Sequence, residues 1–238
     1  MTLEPITYHA DIAMTGLLAD GSNGRRAPGV LIAHESPGLT AHIRERTLTL
    51  AAEGYVAFAL DLFGIPDLSL EQAREQSGLV RRTPGLMHAR ARAALQVLET
   101  HTNVDAARLG AIGFCLGGAV VLELARHQAP IRCAIGFHPG LARVVGSPDG
   151  PIAAKILMMI GDADPIVPME DRVAFAQSMT ASGAVWDLHV FGGVGHSFTN
   201  QAIDGYGLPG FAYDARTARR SWAMALDLLR EELIGEME

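Results

Sequence analysis

Cysteine is scarce in this sequence: 238 residues hold only Cys115 and Cys133. A secreted domain stapled by disulfides would usually carry more, and Cys133 lies in the strand-like segment IRCAIGF. A reducing compartment, the cytoplasm, is therefore expected. Basic charge is also in short supply. The formal net charge is −7 and no basic block occurs, so neither nucleic acid nor an anionic membrane is expected as a partner. No apolar run approaches membrane-spanning length. The opening MTLEPITYHADI has no basic region leading into an apolar one, so no signal peptide is expected. There is no C-x-x-C pair and no H-E-x-x-H, which leaves a metal site without support. Internal repeats and low-complexity linkers are absent too, and residues 1–238 read as one domain.

What is present is an alternation. Hydrophobic residues make up 49% and charged residues 19% of the chain, which excludes a disordered or fibrous protein. Short apolar runs read as strands at Pro28–Glu35, Tyr55–Gly64, Arg108–Phe114, Ile131–His138, Lys155–Gly161 and Val185–Phe191. Amphipathic stretches between them read as helices at Ala41–Glu53, Leu70–Gln76, Gly85–Thr100, Leu116–His127 and Met169–Ser182. Met169, Val173, Ala176 and Met179 share one face of the last of these. A closing helix runs from about Ala215 to Ile234, with Ala218, Trp222, Leu226, Leu229 and Leu233 on one stripe. Near-continuous apolar strands separated by helices predict an α/β fold with a mostly parallel sheet covered on both faces. The first segment alternates instead and ends in Asp20-Gly21, which predicts an antiparallel edge strand or hairpin. The polar segment Gly64–Gly85, with Pro66, Gly78 and Pro84, is a candidate lid.

Ligands of open α/β sheets bind beyond the carboxyl ends of the strands. Just after strands stand His34-Glu35-Ser36, Asp61, Cys115, His138, Asp162 with Asp164, and His196. Gly113-Phe114-Cys115-Leu116-Gly117 fits a nucleophile elbow, in which a tight strand–helix turn projects the central side chain and flanking glycines remove clashes. The Leu116 amide would open the helix, where it can donate to an oxyanion and the helix dipole favours a thiolate. Gly161-Asp162-Ala163-Asp164 offers a carboxylate after a later strand, and Gly192-Gly193-Val194-Gly195-His196 a histidine after the last. Nucleophile, acid and histidine come in the order this kind of fold requires.

These motifs, with His34-Glu35-Ser36-Pro37-Gly38, Asp61-Leu62-Phe63-Gly64, Gly161-x-x-Asp164-x-x-Val167-Pro168, Gly195-His196-Ser197-Phe198 and Tyr213-Asp214-Ala215, resemble the dienelactone hydrolase family of the α/β-hydrolase superfamily. The resemblance spans nearly the whole chain. It implies a hydrolase of a small ester or lactone, of carboxymethylenebutenolidase type, that uses no cofactor. Cys115 would be the nucleophile, His196 the base and Asp164 the orienting acid, with Asp162 its rival. The amides of Ser36 and Leu116 would form the oxyanion hole. Glu35 would be a supporting carboxylate that meets the resting thiol. Family members that bind a substrate carboxylate use arginines, one shortly after the histidine. Here Ser197, Phe198, Thr199 and Asn200 follow, and no arginine comes before Arg216, so a neutral substrate is expected. Arg74, Arg81 and Arg82 in the candidate lid are the other sources of positive charge.

Two other readings compete. A class I amidotransferase-like enzyme would need a glutamate two residues after the histidine, where this chain has Phe198. A binding or sensor protein with an idle pocket would have no use for the complete set Cys115, Asp164 and His196. His138 is expected as a hydrogen-bonded residue at the pocket rim, and Trp222 as core.

Overall fold

The computed structural model describes residues 1–235. Eight strands form one sheet in the order β1-β2-β4-β3-β5-β6-β7-β8. They are β1 (Glu4–His9), β2 (Ala13–Asp20), β3 (Ala27–Ala33), β4 (Val56–Ala59), β5 (Val104–Phe114), β6 (Cys133–Phe137), β7 (Lys155–Gly161) and β8 (Trp186–Phe191). The alternating N-terminal segment is the expected hairpin, β1 pairing antiparallel with β2 and β2 antiparallel with β4. All remaining pairings are parallel.

Every residue of β3, β4 and β6 is buried, which explains why those runs carry no polar alternation. Helix α1 (Ala41–Ala52) and helix α6 (Ala215–Leu233) cover one face, with Ile43, Leu50, Ala225 and Leu229 against Ile32, Ile112 and Ile135. The other face is covered by α3 (Leu86–Thr100), α4 (Leu116–Arg126) and α5 (Met169–Ala181), through Met87, Leu95, Val120 and Phe175.

Three details depart from the sequence pattern. Helix α2 spans Leu70–Arg82, six residues beyond the expected end at Gln76. A capping box starts it, with the Ser69 hydroxyl accepting from the Gln72 amide at 3.2 Å and the Gln72 side chain accepting from the Ser69 amide at 2.9 Å. Burial of Ala73 and Val80 then carries it through Gly78, which costs a helix only about 1 kcal/mol. Helix α5 buries Phe175 and Met179, whereas Met169 and Val173 are 62% and 49% exposed. The face predicted for the core thus turns to solvent at its first two apolar positions. In α6 the fully covered positions include Ser221 and Ala225, while Trp222 and Leu226 lie at the border of the core.

The strand order reverses between β3 and β5, since the chain leaves β3 toward β4 and returns to β5 on the other side. A crevice at that switch point is where such sheets hold ligands. The loops after β3 and β5 begin with His34 and Cys115.

Candidate active site

Cys115 sits between β5 and α4 with φ +52° and ψ −112°, a conformation L residues rarely adopt. The turn is pinned by the Cys115 amide, which donates to the Phe137 carbonyl at 3.0 Å. Its glycines are required by contact. A Cβ on Gly113 would run into the Gly117 carbonyl, and one on Gly117 into the Ala33 carbonyl. Because backbone lies on the far side of both contacts, neither can relax cheaply. Gly117→Ala is expected to lower unfolding free energy by about 3 kcal/mol, read by urea denaturation; a change below about 0.5 kcal/mol would show that the elbow can yield.

His196 follows β8 on the glycine loop. Its amide donates to the Gly210 carbonyl at 2.8 Å, and its own carbonyl accepts from Ala212 at 3.1 Å. The ring is fully buried, edge-on to Phe211 and to His138. Nδ1 lies 2.7 Å from Asp164 Oδ2. The second oxygen of Asp164 accepts from the Ile166 amide at 2.8 Å. Asp162 instead pairs with Arg172 at 3.0 Å, with its side chain 56% exposed. The two aspartates of the loop therefore face opposite ways.

Buried His196 Nε2 has no conventional hydrogen-bond partner among the described residues, and the charge-bearing group beside it is Cys115. Burial opposes protonation of the ring, but the thiolate form of Cys115 and the Asp164 carboxylate outweigh it, and the pKa is raised to about 10. His138 behaves oppositely: burial, then the neighbouring His196 and His42, hold it well below the usual histidine range. It is not at the pocket rim, as expected from sequence, but fully buried behind His196, with Nε2 2.7 Å from the Thr199 hydroxyl. Its position after a strand was visible in the sequence; the edge-on ring packing that places it behind His196 was not.

Ser36, in the loop after β3, and Leu116, in the first turn of α4, line the same cavity as Cys115. Neither backbone amide donates to a protein acceptor among the described residues. His34 holds the first of these loops in place. Its Nδ1–H donates to the Glu35 carbonyl at 2.6 Å, and its Nε2 accepts from the Leu62 amide at 3.0 Å. Glu35 is buried, and its Oε2 accepts from the Asn200 side chain at 2.7 Å with His42 Nδ1 at 3.4 Å. No hydrogen bond joins it to Cys115 among the described residues, in contrast to the sequence expectation.

Glu35, Ser36, His42, Cys115, Leu116 and His196 line one cavity of about 610 Å³. Helix α2 closes one side, so the Gly64–Gly85 segment borders the cavity with Ala73, Arg74, Ser77 and Arg81. Neither Arg74 nor Arg81 has an acidic partner within 4.0 Å among the described residues. Arg82 does not reach the cavity. Among sequence-derived candidates, the structure thus brings together Cys115, His196, Asp164, Ser36, Leu116 and Glu35, and excludes Asp162. His42 was missed, because nothing in the spacing of α1 distinguishes it from a surface histidine.

Residues 14–233 match the model of the dienelactone hydrolase family. The chain belongs to that family. As a member it is a hydrolase of esters or lactones, built on the α/β-hydrolase fold. It is 30% identical over 223 residues to the probable 2-oxo-3-(5-oxofuran-2-ylidene)propanoate lactonase of Bradyrhizobium sp, covering 89% of this chain and 86% of that protein. Among solved structures, it superposes on a dienelactone hydrolase-like promiscuous phosphotriesterase from metagenomic libraries with a TM-score of 0.92. The identity is 31%, with 97% of this chain and 98% of that one covered. No helix among the described residues is long and apolar enough to cross a membrane.

Proposed function

We propose that this hydrolase cleaves a small carboxylic ester or lactone through Cys115, with His196 as proton carrier, Asp164 as its orienting acid and an acyl-thioester intermediate. One observation carries the reading: a thiol on a strained elbow, an imidazole beside it and a carboxylate 2.7 Å from that imidazole lie in sequence at the carboxyl ends of three strands.

The steps follow from the atoms. Sγ of Cys115 gives its proton to His196 Nε2 and attacks the carbonyl carbon. The carbonyl oxygen takes the electron pair and is met by the free amides of Ser36 and Leu116. The tetrahedral species collapses, the C–O bond breaks, and the leaving alkoxide takes the proton from Nε2. In a lactone that alcohol remains tethered to the acyl group. Water then gives a proton to Nε2, attacks the thioester, and releases acid and free thiol. These steps need no cofactor. The Gly64–Gly85 segment acts as a lid over the cavity, and its Arg74 and Arg81 admit an acyl group bearing a carboxylate as well as a neutral one. Two unpaired thiols support a cytoplasmic setting.

Rapid acid quenching during hydrolysis of p-nitrophenyl acetate is the direct test. Peptide mass analysis is expected to find one acetyl group on Cys115, removable by hydroxylamine. Acetylation of Ser36 instead, or an unmodified Cys115 during steady turnover and after slow-deacylating substrates, would overturn the mechanism.

A further inference from the structure

A buried carboxyl group in the same cavity wall as a thiol has two ways to satisfy its oxygens. It can accept the S–H, which keeps the thiol protonated and turned from its base. It can also accept from donors elsewhere and leave the thiol to the imidazole. Glu35 is 3% exposed; its Oε2 accepts from Asn200, while the His42 Nδ1 donor stands 3.4 Å away and makes no hydrogen bond among the described residues.

Each donor is itself fixed. The Asn200 Oδ1 accepts from the Ala202 amide at 3.0 Å, which turns Nδ2 toward Glu35 Oε2 at 2.7 Å. The Asn200 backbone is tied in turn, donating to the Ser197 carbonyl at 3.0 Å and accepting from the Ile203 amide at 3.2 Å. On the other side Arg46 Nε–H points at His42 Nε2, 3.4 Å away. A guanidinium cannot accept, so His42 carries its proton on Nδ1, the nitrogen 3.4 Å from Glu35. Arg46 lies over the Trp222 ring at 4.9 Å and has no acidic partner within 4.0 Å among the described residues. Phe114, the residue before the nucleophile, packs edge-on against the His42 ring.

We propose that Asn200 is a positioning residue: it clamps Glu35 away from Cys115, with His42 standing beside the carboxylate, so that His196 is the acceptor for the thiol proton before substrate arrives. The inference rests on Cys115 as nucleophile and adds how that nucleophile is regulated. Proton transfer from Sγ to His196 Nε2 then needs no charge on the substrate. Uncharged esters are attacked as readily as anionic ones once bound, and a substrate carboxylate changes binding rather than activation. His196 is the group that responds, and its raised affinity for a proton accords with a thiolate beside it.

The experiment uses the full chain and reads the thiol before any turnover. Iodoacetamide labelling of Cys115 is followed by peptide mass, with thiolate absorbance in the far ultraviolet as the spectroscopic signature; buried Cys133 serves as the internal control. Asn200→Ala is expected to slow labelling about tenfold and to lower the thiolate absorbance, since Glu35 is freed to hold the thiol. The double variant Asn200→Ala/Glu35→Gln is expected to recover both signals, because an amide cannot hold the thiol as a carboxylate does. A merely structural loss at Asn200 would not be rescued this way. Should Asn200→Ala fail to fold, the near-isosteric Asn200→Leu and Asn200→Leu/Glu35→Gln, which also remove the donor, give the same comparison with the same expected sign. Wild-type labelling kinetics in the single variants, or a double variant as slow as the single, would overturn the clamp. Wild-type Cys115 reacting no faster than Cys133 would overturn the nucleophile itself, an outcome distinct from both.

Discussion

Cys115→Ala is expected to reduce hydrolysis of activated aryl esters by about 10⁴-fold or more with little change in stability. The size follows from the part removed. Every covalent step runs through Sγ, and neither the oxyanion amides nor the cavity replaces an attacking atom. The stability expectation follows from the backbone. Cysteine and alanine carry the same Cβ, so the strain at φ +52° is the same in both, and the glycines around the elbow still prevent the clashes. Circular dichroism and urea unfolding establish the fold, and initial rates with p-nitrophenyl esters establish the loss. An alanine variant retaining a tenth of wild-type activity would remove Cys115 from the mechanism. Cys115→Ser separates nucleophile from shape. A hydroxyl does not form the ion pair with His196 that a thiol can, so serine is expected to fall well short of cysteine although it fits the turn.

The elbow was legible in the sequence because steric demand leaves a trace there. Gly113 and Gly117 lie against carbonyls that tolerate no Cβ, so the composition of five residues reports a three-dimensional turn. The strands were legible for a similar reason, since burial on both faces removes polar residues from the run. Helix ends were less so. The pattern ended α2 at Gln76, yet buried Ala73 and Val80 carry it on through Gly78 to Arg82. Met169 and Val173 keep helical spacing, but spacing does not report which positions the fold leaves in solvent. The contacts along the row Arg46, His42, Glu35 and Asn200 left no trace, although Glu35 itself was expected at the site. Glu35 and Asn200 are separated by 165 positions, and their bond depends on how the loop after β8 returns over the loop after β3. The short 3-10 helix at Gln201–Tyr206 that fixes the Asn200 amide is too brief for periodicity to reveal.

Asp164→Asn is expected to cost about 10³- to 10⁴-fold in kcat, nearly as much as loss of the nucleophile, though it changes one atom far from the carbonyl. The Ile166 amide explains why. It donates to Asp164 Oδ1 at 2.8 Å, and an asparagine there must place its carbonyl oxygen at that position to keep the bond. Its NH2 group then faces His196 Nδ1. Two donors cannot meet, so Nδ1 becomes the acceptor and the ring proton moves to Nε2. An Nε2–H imidazole cannot take the Cys115 proton, and the base is lost without any change in shape. Nitrogen-15 chemical shifts of His196 would report this tautomer directly. Asp162→Asn supplies the contrast within the same loop. Asp162 is mostly exposed and pairs with Arg172 on the outer side, and an exposed pair of this kind contributes about 0–1 kcal/mol to stability. That variant is expected to keep activity within about twofold of wild type, since such a pair lies outside the proton path. If Asp162→Asn lost activity while Asp164→Asn kept it, the 2.7 Å contact between Asp164 and His196 would not be the one that orients the base.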